Sequence, residues 1–487
     1  MITAGIDIGT SSVKVALVGD GDRVIATTSR ALTVSRPQPG YSEQEPRHWW
    51  EAVVACFDEM AARDGASLGE THAIGLSGQM HGATLLDAKG EVLRPCILWN
   101  DTRSAAECEQ LTREWPNLHA VSGNLAMPGF TAPKLMWVRR HEPKVFARVA
   151  AVLLPKAYVR YRLCGEMVEE MSDASGTLWL DVGRRAWSGE ALSASGMRAD
   201  QMPRLVEGDA PSGELSAELT KRWGMKRAPV IAGGAGDNAA GAVALGATRA
   251  GDAFVSLGTS GVLWATTAAF APAPARAVHA FCHALPGTWH QMGVLLSAAA
   301  SLAWWARVAG SDEAALLAEV DPARPASGCW FAPYLEGERT PHNDASVRGG
   351  FAGLDGGCTR ADLTLAVLEG VAYAMRDAQE ALASAGTRLA EADLIGGGAR
   401  SPLWAQVMAD VLGIPLHQVA ESEIGCALGA ARLARLAAGA SRTSLTRPAR
   451  VRTYMPRAER AALHAARHRR WQALYPPLSA FARDGSA

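Results

Sequence analysis

The sequence predicts an α/β protein of two related domains. Three observations carry this. The chain has 487 residues, too many for one hydrophobic core and enough for two or three domains. Strand-like apolar runs alternate with helical stretches along its length. Two hairpins of one grammar stand in its two halves: Gly5-Ile6-Asp7-Ile8-Gly9-Thr10-Ser11-Ser12-Val13-Lys14-Val15 and Phe254-Val255-Ser256-Leu257-Gly258-Thr259-Ser260-Gly261-Val262-Leu263-Trp264. In each, a strand runs into Gly-Thr-Ser and a second strand follows, with Gly at the turn.

Taken in order, residues 1–30 read as a β-meander whose second turn is Gly19-Asp20-Gly21-Asp22. A helix runs from about Pro46 to Arg63, and Ala73-Ile74-Gly75-Leu76-Ser77 is the next strand. Gly82–Leu86 and Ile97–Trp99 are further strand candidates. Residues 100–225 alternate helical stretches with Pro/Gly loops and read as insertions. Pro229-Val230-Ile231-Ala232 is a buried strand ending in Gly233-Gly234-Ala235-Gly236. A small-residue helix then leads through Gly246 and Gly251 into the second hairpin, which sets the expected boundary near residue 245, with domains 1–245 and 246–487. Beyond it, helices are expected over Asp362–Ala383, Ser401–Leu412 and Gly425–Ala437. A short strand, Leu394-Ile395, runs into Gly396-Gly397-Gly398, and an Arg- and Ala-rich amphipathic helix closes the chain from Arg457 to Trp471.

Composition excludes several classes. Lys plus Arg number 48 and Asp plus Glu 49, so no global field points to nucleic acid. No apolar run approaches a membrane span, and Met1-Ile2-Thr3-Ala4-Gly5 enters a strand without a signal-peptide pattern. The 8 cysteines are scattered without C-x-x-C spacing, which suits reduced thiols. A cytoplasmic protein without membrane or nucleic-acid partners is the expectation.

The hairpin turns present backbone N–H groups and hydroxyls of the kind that cradle phosphate. Two of them suggest two domains closing on one phosphate chain. Asp7, at the end of the first strand, would repel that ligand unless Mg²⁺ stood between them. Its counterpart is Ser256, so the charge is on one side only. The run Gly234-Ala235-Gly236-Asp237-Asn238-Ala239 matches the G-x-G-x-x-A dinucleotide fingerprint, which makes a dehydrogenase the rival. The Asp237 carboxylate would oppose a pyrophosphate there. A carboxylate between strand and helix, facing a cleft, reads better as the general base for a hydroxyl in phosphoryl transfer, and Asn238 can bond a polyol. Ser77-Gly78-Gln79-Met80-His81-Gly82 fails the G-x-S-x-G spacing of a nucleophile elbow. With Trp99-Asn100-Asp101-Thr102-Arg103 it supplies the mixture of polar forks and apolar faces that binds neutral sugars. Gly396-Gly397-Gly398-Ala399-Arg400-Ser401 is a bare-backbone loop before a helix, open to a flat or phosphorylated ligand.

The order Asp-x-Gly-Thr-Ser, Gly-Asp-Asn, Gly-Thr-Ser-Gly and Gly-Gly-Gly-Ala-Arg-Ser resembles the FGGY carbohydrate kinases, relatives of the Hsp70/actin ATPases. Two longer signatures extend the resemblance over nearly the whole chain: Gly129–Trp137, and Gly349–Leu354 followed by Asp362-Leu363 and Ala366–Glu369. Gln79-Met80-His81-Gly82, Leu98-Trp99-Asn100-Asp101 and Gly337–His342 are similar to the members that act on D-xylulose; ribulose, gluconate or a plain ATPase are the alternatives. Thr102 stands where those members carry a smaller residue. The resemblance implies two ribonuclease-H-like domains with the active site between them, ATP and Mg²⁺ as cofactors, and a homodimer. It implies that Asp237 is the base and that Asp7 serves the Mg-nucleotide. Met80, His81 and Asn238 would contact the ketose, with Trp99 and Asp101 beside them. Thr10, Ser11 and Lys14 of the first hairpin and Gly258 and Thr259 of the second would hold phosphates, with Gly397, Gly398 and Ser401 near adenosine.

Overall fold

The computed structural model describes residues 1–420 and 424–484. The meander forms as β1 (Ile2–Ile8), β2 (Ser12–Val18) and β3 (Val24–Ala31), followed by helix α1 (Pro46–Leu68) and β4 (Thr71–Gly78). β5 (Pro211–Glu214), β6 (Val230–Ala232) and the two-residue β7 (Ala235–Gly236) complete a seven-stranded sheet of order β5-β6-β4-β1-β2-β3, with β7 also paired to β4. β1, β2 and β3 are antiparallel, whereas β4 runs parallel to β1 and β6 parallel to β4.

The second half repeats the plan. β8 (Ala253–Leu257) and β9 (Gly261–Thr267) form the second hairpin, followed by β10 (His279–Cys282), β11 (Trp289–Leu295), β12 (Ala392–Ile395), β13 (Leu416–Val419) and β14 (Arg450–Tyr454). The order is β10-β11-β9-β8-β12-β13-β14. Again the hairpin and its outer neighbour are antiparallel; on the other side of β8, β12 and β13 are parallel to it and the edge strand β14 is antiparallel to β13. The shared core, β3-β2-β1-β4-β6 in one lobe and β11-β9-β8-β12-β13 in the other, is the ribonuclease-H-like arrangement twice over. Residues between β4 and β5 build the insertions, among them helices α2 (Thr131–His141), α3 (Pro155–Cys164) and the short α4 (Met171–Ser175).

Strand alternation sets the layers. Ala4, Ile6 and Ile8 point into an apolar cluster with Trp49, Val53 and Phe57 of α1. The opposite face of the first sheet is covered from the far end of the chain. Helix α5 (Asp237–Ala244) follows β7, and α6 (Ala299–Val308), α7 (Arg360–Ser384) and α8 (Pro402–Leu412) belong to the second lobe; α9 (Cys426–Ala437) then returns to the first sheet. A Cβ on Gly5 would lie 1.9 Å from the Ala427 carbonyl oxygen, and one on Gly75 1.9 Å from that of Ala430. Only bare backbone admits the helix so closely. Conversely, Ala239, Ala240 and Val243 of α5 share an apolar cluster with Phe254 and Trp264 of the second sheet. Helix α10 (Ala458–Gln472) buries His464, His468 and Trp471, binds Glu369 through Arg467 and exposes Arg469 and Arg470, and a last helix, α11 (Tyr475–Asp484), follows it. All eight cysteines are unpaired. No described helix is long and apolar enough to cross a membrane.

Candidate active site

Asp7, Ser77 and Ala235 occupy one row across three adjacent parallel strands, since Asp7 pairs with Ser77 and Ser77 with Ala235. Two residues beyond Ala235 the chain enters α5, and Asp237 is its first residue. The base candidate therefore stands at the carboxyl end of the strands, partly exposed, beside Asp7. Burial pushes its carboxyl up to about 6, the negative charge of Asp7 adds to the shift, and Asn238 opposes it by donating its N–H and Nδ2 to Oδ1 at 2.7 and 2.9 Å. Such a proton affinity is matched to abstraction near neutral pH. The Asp7 carboxyl is itself raised by burial. Two hard carboxylates that repel one another across a gap are the donor set a divalent cation relieves, so Asp7 fits a Mg²⁺ role.

The dinucleotide reading of this loop fails on its donors. Gly233 N–H donates to Ala210 O at 2.8 Å, Gly234 N–H to Gly208 O at 2.9 Å, and Gly236 N–H to Ser172 Oγ at 3.0 Å. A Rossmann turn needs those N–H groups for pyrophosphate, and here protein oxygens hold them.

The sugar loop lies against the base loop: Met80 packs onto Gly236, where a Cβ would sit 3.0 Å from its Sδ. His81 has φ of 69° and is clamped from three directions. Its carbonyl accepts from Lys134 Nζ at 2.9 Å and Thr131 Oγ1 at 3.1 Å, and its ring Nδ1 is 2.7 Å from Gly176 O. A carbonyl only accepts, so Nδ1 carries the proton. Burial lowers the imidazole to about 3. The ring is thus neutral, and Nε2 is a lone-pair acceptor for a hydroxyl. Phe130 packs on it at 4.6 Å, and Phe281 from the second lobe at 6.3 Å.

Trp99, 45% exposed, lies over the first hairpin and donates Nε1–H to Thr10 Oγ1 at 3.0 Å; Thr10 in turn donates to Gln79 Oε1 at 3.1 Å. Thr10 therefore offers its backbone to a ligand, while its hydroxyl ties hairpin to sugar loop. Ser11 is exposed at the turn, and Lys14 is the cross-strand partner of Asp7. Asp101 differs from expectation. It is 1% exposed, and its oxygens take Ser42 N–H at 2.6 Å and the Arg103 guanidinium at 2.7 Å. A buried carboxylate two residues from an arginine pairs with it, so Asp101 anchors its own loop and offers no oxygen to a sugar. Thr102 is likewise turned to Gly40 O at 3.2 Å.

In the second lobe, the Gly258 and Thr259 carbonyls accept from Ala299 and Ala298 N–H at 2.8 and 2.9 Å, which fastens the hairpin to the start of α6 and leaves Thr259 exposed. Thr259, Gly397, Gly398 and Ser401 border one cavity of about 1010 Å³, with Trp304 and Arg307 of α6 opposite. Gly398 fits beneath Leu257 and Trp404, whereas Gly397 faces open space. Ser401 Oγ caps α8 by accepting Trp404 N–H at 3.2 Å. A second cavity of about 610 Å³ brings Asp237 and Asn238 of one lobe together with Phe254, Ser256 and Gly396 of the other. The α6 wall escaped the sequence reading because its alanines and Trp304 read as core. Lys134, Thr131 and Phe130 lay within the quoted Gly129–Trp137 signature but carried no assignment.

Two lobes of one plan, a carboxylate of raised proton affinity between them and a bare-backbone pocket in the second lobe define a phosphotransferase of the sugar-kinase kind. Sequence models of the FGGY family of carbohydrate kinases match residues 2–244 with the N-terminal domain and 253–438 with the C-terminal domain. The chain belongs to that family. It is 48% identical to the xylulose kinase of Escherichia coli K12 over 97% of this chain and 98% of that one. It is 38% identical to the xylulose kinase of Bacillus subtilis strain 168, covering 89% and 88% of the two chains. Among solved structures, a xyloylose kinase from Brucella ovis superposes with a TM-score of 0.96 at 48% identity, covering 99% and 100% of the two chains. The xylulose kinase of Rhodospirillum rubrum gives 0.91 at 30% identity with the same coverage.

Proposed function

We propose that this chain transfers the γ-phosphoryl group of ATP to D-xylulose, giving D-xylulose 5-phosphate, with Asp237 as the base. The observation that carries the assignment is a carboxylate of raised proton affinity at the end of the parallel strands, next to Asp7 and against the Met80-His81 loop. Met80, His81 and Asn238 hold the ketose, His81 Nε2 accepting from a sugar hydroxyl and Trp99 closing the hairpin side. Asp237 takes the proton from the attacking hydroxyl as the new O–P bond forms and the bond to the leaving ADP breaks. Thr10 and Ser11 from one side, and Gly258 and Thr259 from the other, offer backbone donors to the phosphates, with Lys14 near Asp7 adding positive charge. The cavity at Gly397, Gly398 and Ser401 takes the adenosine. Asp7 would hold the Mg²⁺ that accompanies ATP and neutralises charge on its phosphates. The family resemblance supports a cytoplasmic homodimer, which analytical ultracentrifugation and fractionation would read directly.

The deciding experiment is a coupled ADP-release assay over D-xylulose, L-ribulose, D-ribulose, L-xylulose, gluconate and glycerol. D-Xylulose should give the highest kcat/KM. A preference for gluconate or glycerol would overturn the substrate, and ADP release indifferent to every sugar would overturn the kinase.

A further inference from the structure

Beneath the base loop lies a buried group of charges that the chemistry does not touch. Lys156 Nζ sits among Glu169, Glu170 at 3.2 Å and Asp173 at 2.9 Å, and these four side chains are at most 1% exposed. The three carboxylates have oxygens within 4.8 Å of one another, a spacing that could hold a metal ion, but the Lys156 ammonium already occupies their centre. The cluster fixes one short element, α4. Glu170 caps it, accepting Ser172 N–H at 2.7 Å, Asp173 N–H at 2.8 Å and the Ser172 hydroxyl at 2.9 Å. With its proton given to Glu170, the Ser172 oxygen receives Gly236 N–H at 3.0 Å, from the residue immediately before Asp237. Neighbouring Arg160, also fully buried, donates to Gly233 O at the start of the same loop. At the other end of α4, Gly176 O takes the Nδ1 proton of His81. On a third side, Ser175 Oγ accepts Cys282 N–H at 3.0 Å from β10 of the second lobe.

We propose that α4 is the positioning element of the reaction: it ties the sugar-binding imidazole, the base loop and the opposite lobe to one rigid, charge-anchored turn, and Ser172 is the residue through which it sets Asp237. This rests on the assignment of Asp237 as base and His81 as ketose ligand. The base must stand within hydrogen-bond reach of the reacting hydroxyl, and a misplacement of about 1 Å costs about a hundredfold. Asp237 begins a helix of small residues behind a glycine-rich loop, which gives it little stiffness of its own. Its placement is supplied from below. Because the same five-residue helix grips His81, a sugar that orders His81 also orders the base.

The test uses the full-length enzyme. Ser172→Ala should lower kcat about 10- to 100-fold, leave D-xylulose affinity by calorimetry within about threefold, and be largely rescued by Ser172→Thr, which restores the hydroxyl. Hydrogen–deuterium exchange reads the coupling without activity. In the unaltered enzyme D-xylulose should slow exchange both in the Gln79–Gly82 segment and in Gly233–Asn238. In Ser172→Cys, which keeps volume but accepts poorly, it should slow only the first. Should Ser172→Ala not fold, that exchange pattern decides. A kcat within about twofold of the unaltered enzyme in Ser172→Ala, or protection of both segments in Ser172→Cys, overturns the proposal. Asp237→Asn run in parallel separates the two ideas, because normal turnover in that variant removes the base and leaves the exchange result standing.

Discussion

The raised proton affinity of Asp237 makes a pH prediction that an ordinary carboxylate would not. With its carboxyl at about 6, about nine tenths of the base is ionised at pH 7, about half at pH 6 and about one tenth at pH 5. Only the ionised form accepts a proton, so kcat/KM for D-xylulose should fall about tenfold between pH 7 and pH 5. A carboxylate at the usual value near 3.9 would stay about nine tenths ionised at pH 5, and kcat/KM would barely change. The two cases differ by almost an order of magnitude in one ratio.

The assay is direct measurement of D-xylulose 5-phosphate by quenched time points, which avoids coupling enzymes with their own pH profiles. D-Xylulose is kept well below its KM, and ATP and Mg²⁺ are held in excess at each pH so that protonation of ATP does not enter. The cause of the shift is testable too. Removing the Asp7 charge in Asp7→Asn takes away a contribution that raises the Asp237 carboxyl, so in the metal-free enzyme the Asp237 titration followed by NMR should move to lower pH. In Asp237→Asn, turnover should drop by about 10² or more and the acid limb of the kcat/KM profile should vanish. A flat wild-type profile from pH 5 to 8, or a limb that survives in Asp237→Asn, would refute the reasoning.

Four further outcomes are expected. Asp7→Asn should raise the Mg²⁺ concentration needed for half-maximal rate at least tenfold while D-xylulose binding by calorimetry stays within about twofold; an unchanged Mg²⁺ titration counts against its role. His81→Ala should weaken D-xylulose binding by about tenfold or more, and should abolish any stimulation of ATP hydrolysis by a non-phosphorylatable ketose analogue while basal hydrolysis persists. Gly75→Ala sets a methyl 1.9 Å from the Ala430 carbonyl oxygen, and since neither backbone can yield freely it should cost about 1–3 kcal/mol in urea unfolding; an unchanged midpoint would show that α9 is not held where the structure has it. Burial pushes Glu338 up to about 8. Its folded value exceeds the unfolded one near 4.5, so the stability it contributes is complete below that lower value and is lost as pH rises through about 8. Glu338→Gln should flatten the decline in Tm from pH 5 to 8, and an identical slope would argue against a protonated Glu338.

Much of this was readable in one dimension because the physics is local. Gly-Thr-Ser between alternating apolar runs dictates a hairpin whatever surrounds it, and both hairpins form as β1–β2 and β8–β9. Asp237 stood out because a carboxylate in a glycine-rich loop at a strand end would oppose a pyrophosphate, which left proton abstraction as the better reading. What stayed hidden depends on pairs distant in the chain. Gly5, Gly75 and Gly429 each look like an unremarkable small residue, and their purpose appears only when α9 meets the first sheet and α5 at 1.9 Å from a would-be Cβ. Lys156, Glu169, Glu170 and Asp173 read as surface charge, since nothing in their spacing announces burial against one another. Asp101 misled for the opposite reason. Its loop has the composition of a sugar site, but Arg103 and the Ser42 amide take its oxygens.

The duplication also explains why the site is lopsided. Asp7 and Ser256 hold equivalent places, each next to the end of the strand that enters the hairpin and each paired with the parallel neighbour, to Ser77 in one lobe and Ile395 in the other. Past Ser77 the chain carries Gln79, whose amide is bonded to Thr10 and Gln44, and then Met80 and His81, the side chains proposed to hold the ketose. Past Ile395 it carries Gly396, Gly397 and Gly398, which read nothing beyond shape and backbone. Two identical lobes with a carboxylate at each hairpin would place two fixed negative charges against one phosphate chain, with a single cation to offset them. Two bare lobes would have no base. A kinase needs one side that removes a proton from a particular hydroxyl and one that accepts a nucleotide through its backbone; under the proposed mechanism the exchange between Asp7 and Ser256 confines the cation-binding carboxylate to one lobe, and Asp237 at the start of α5 places the base in that same lobe.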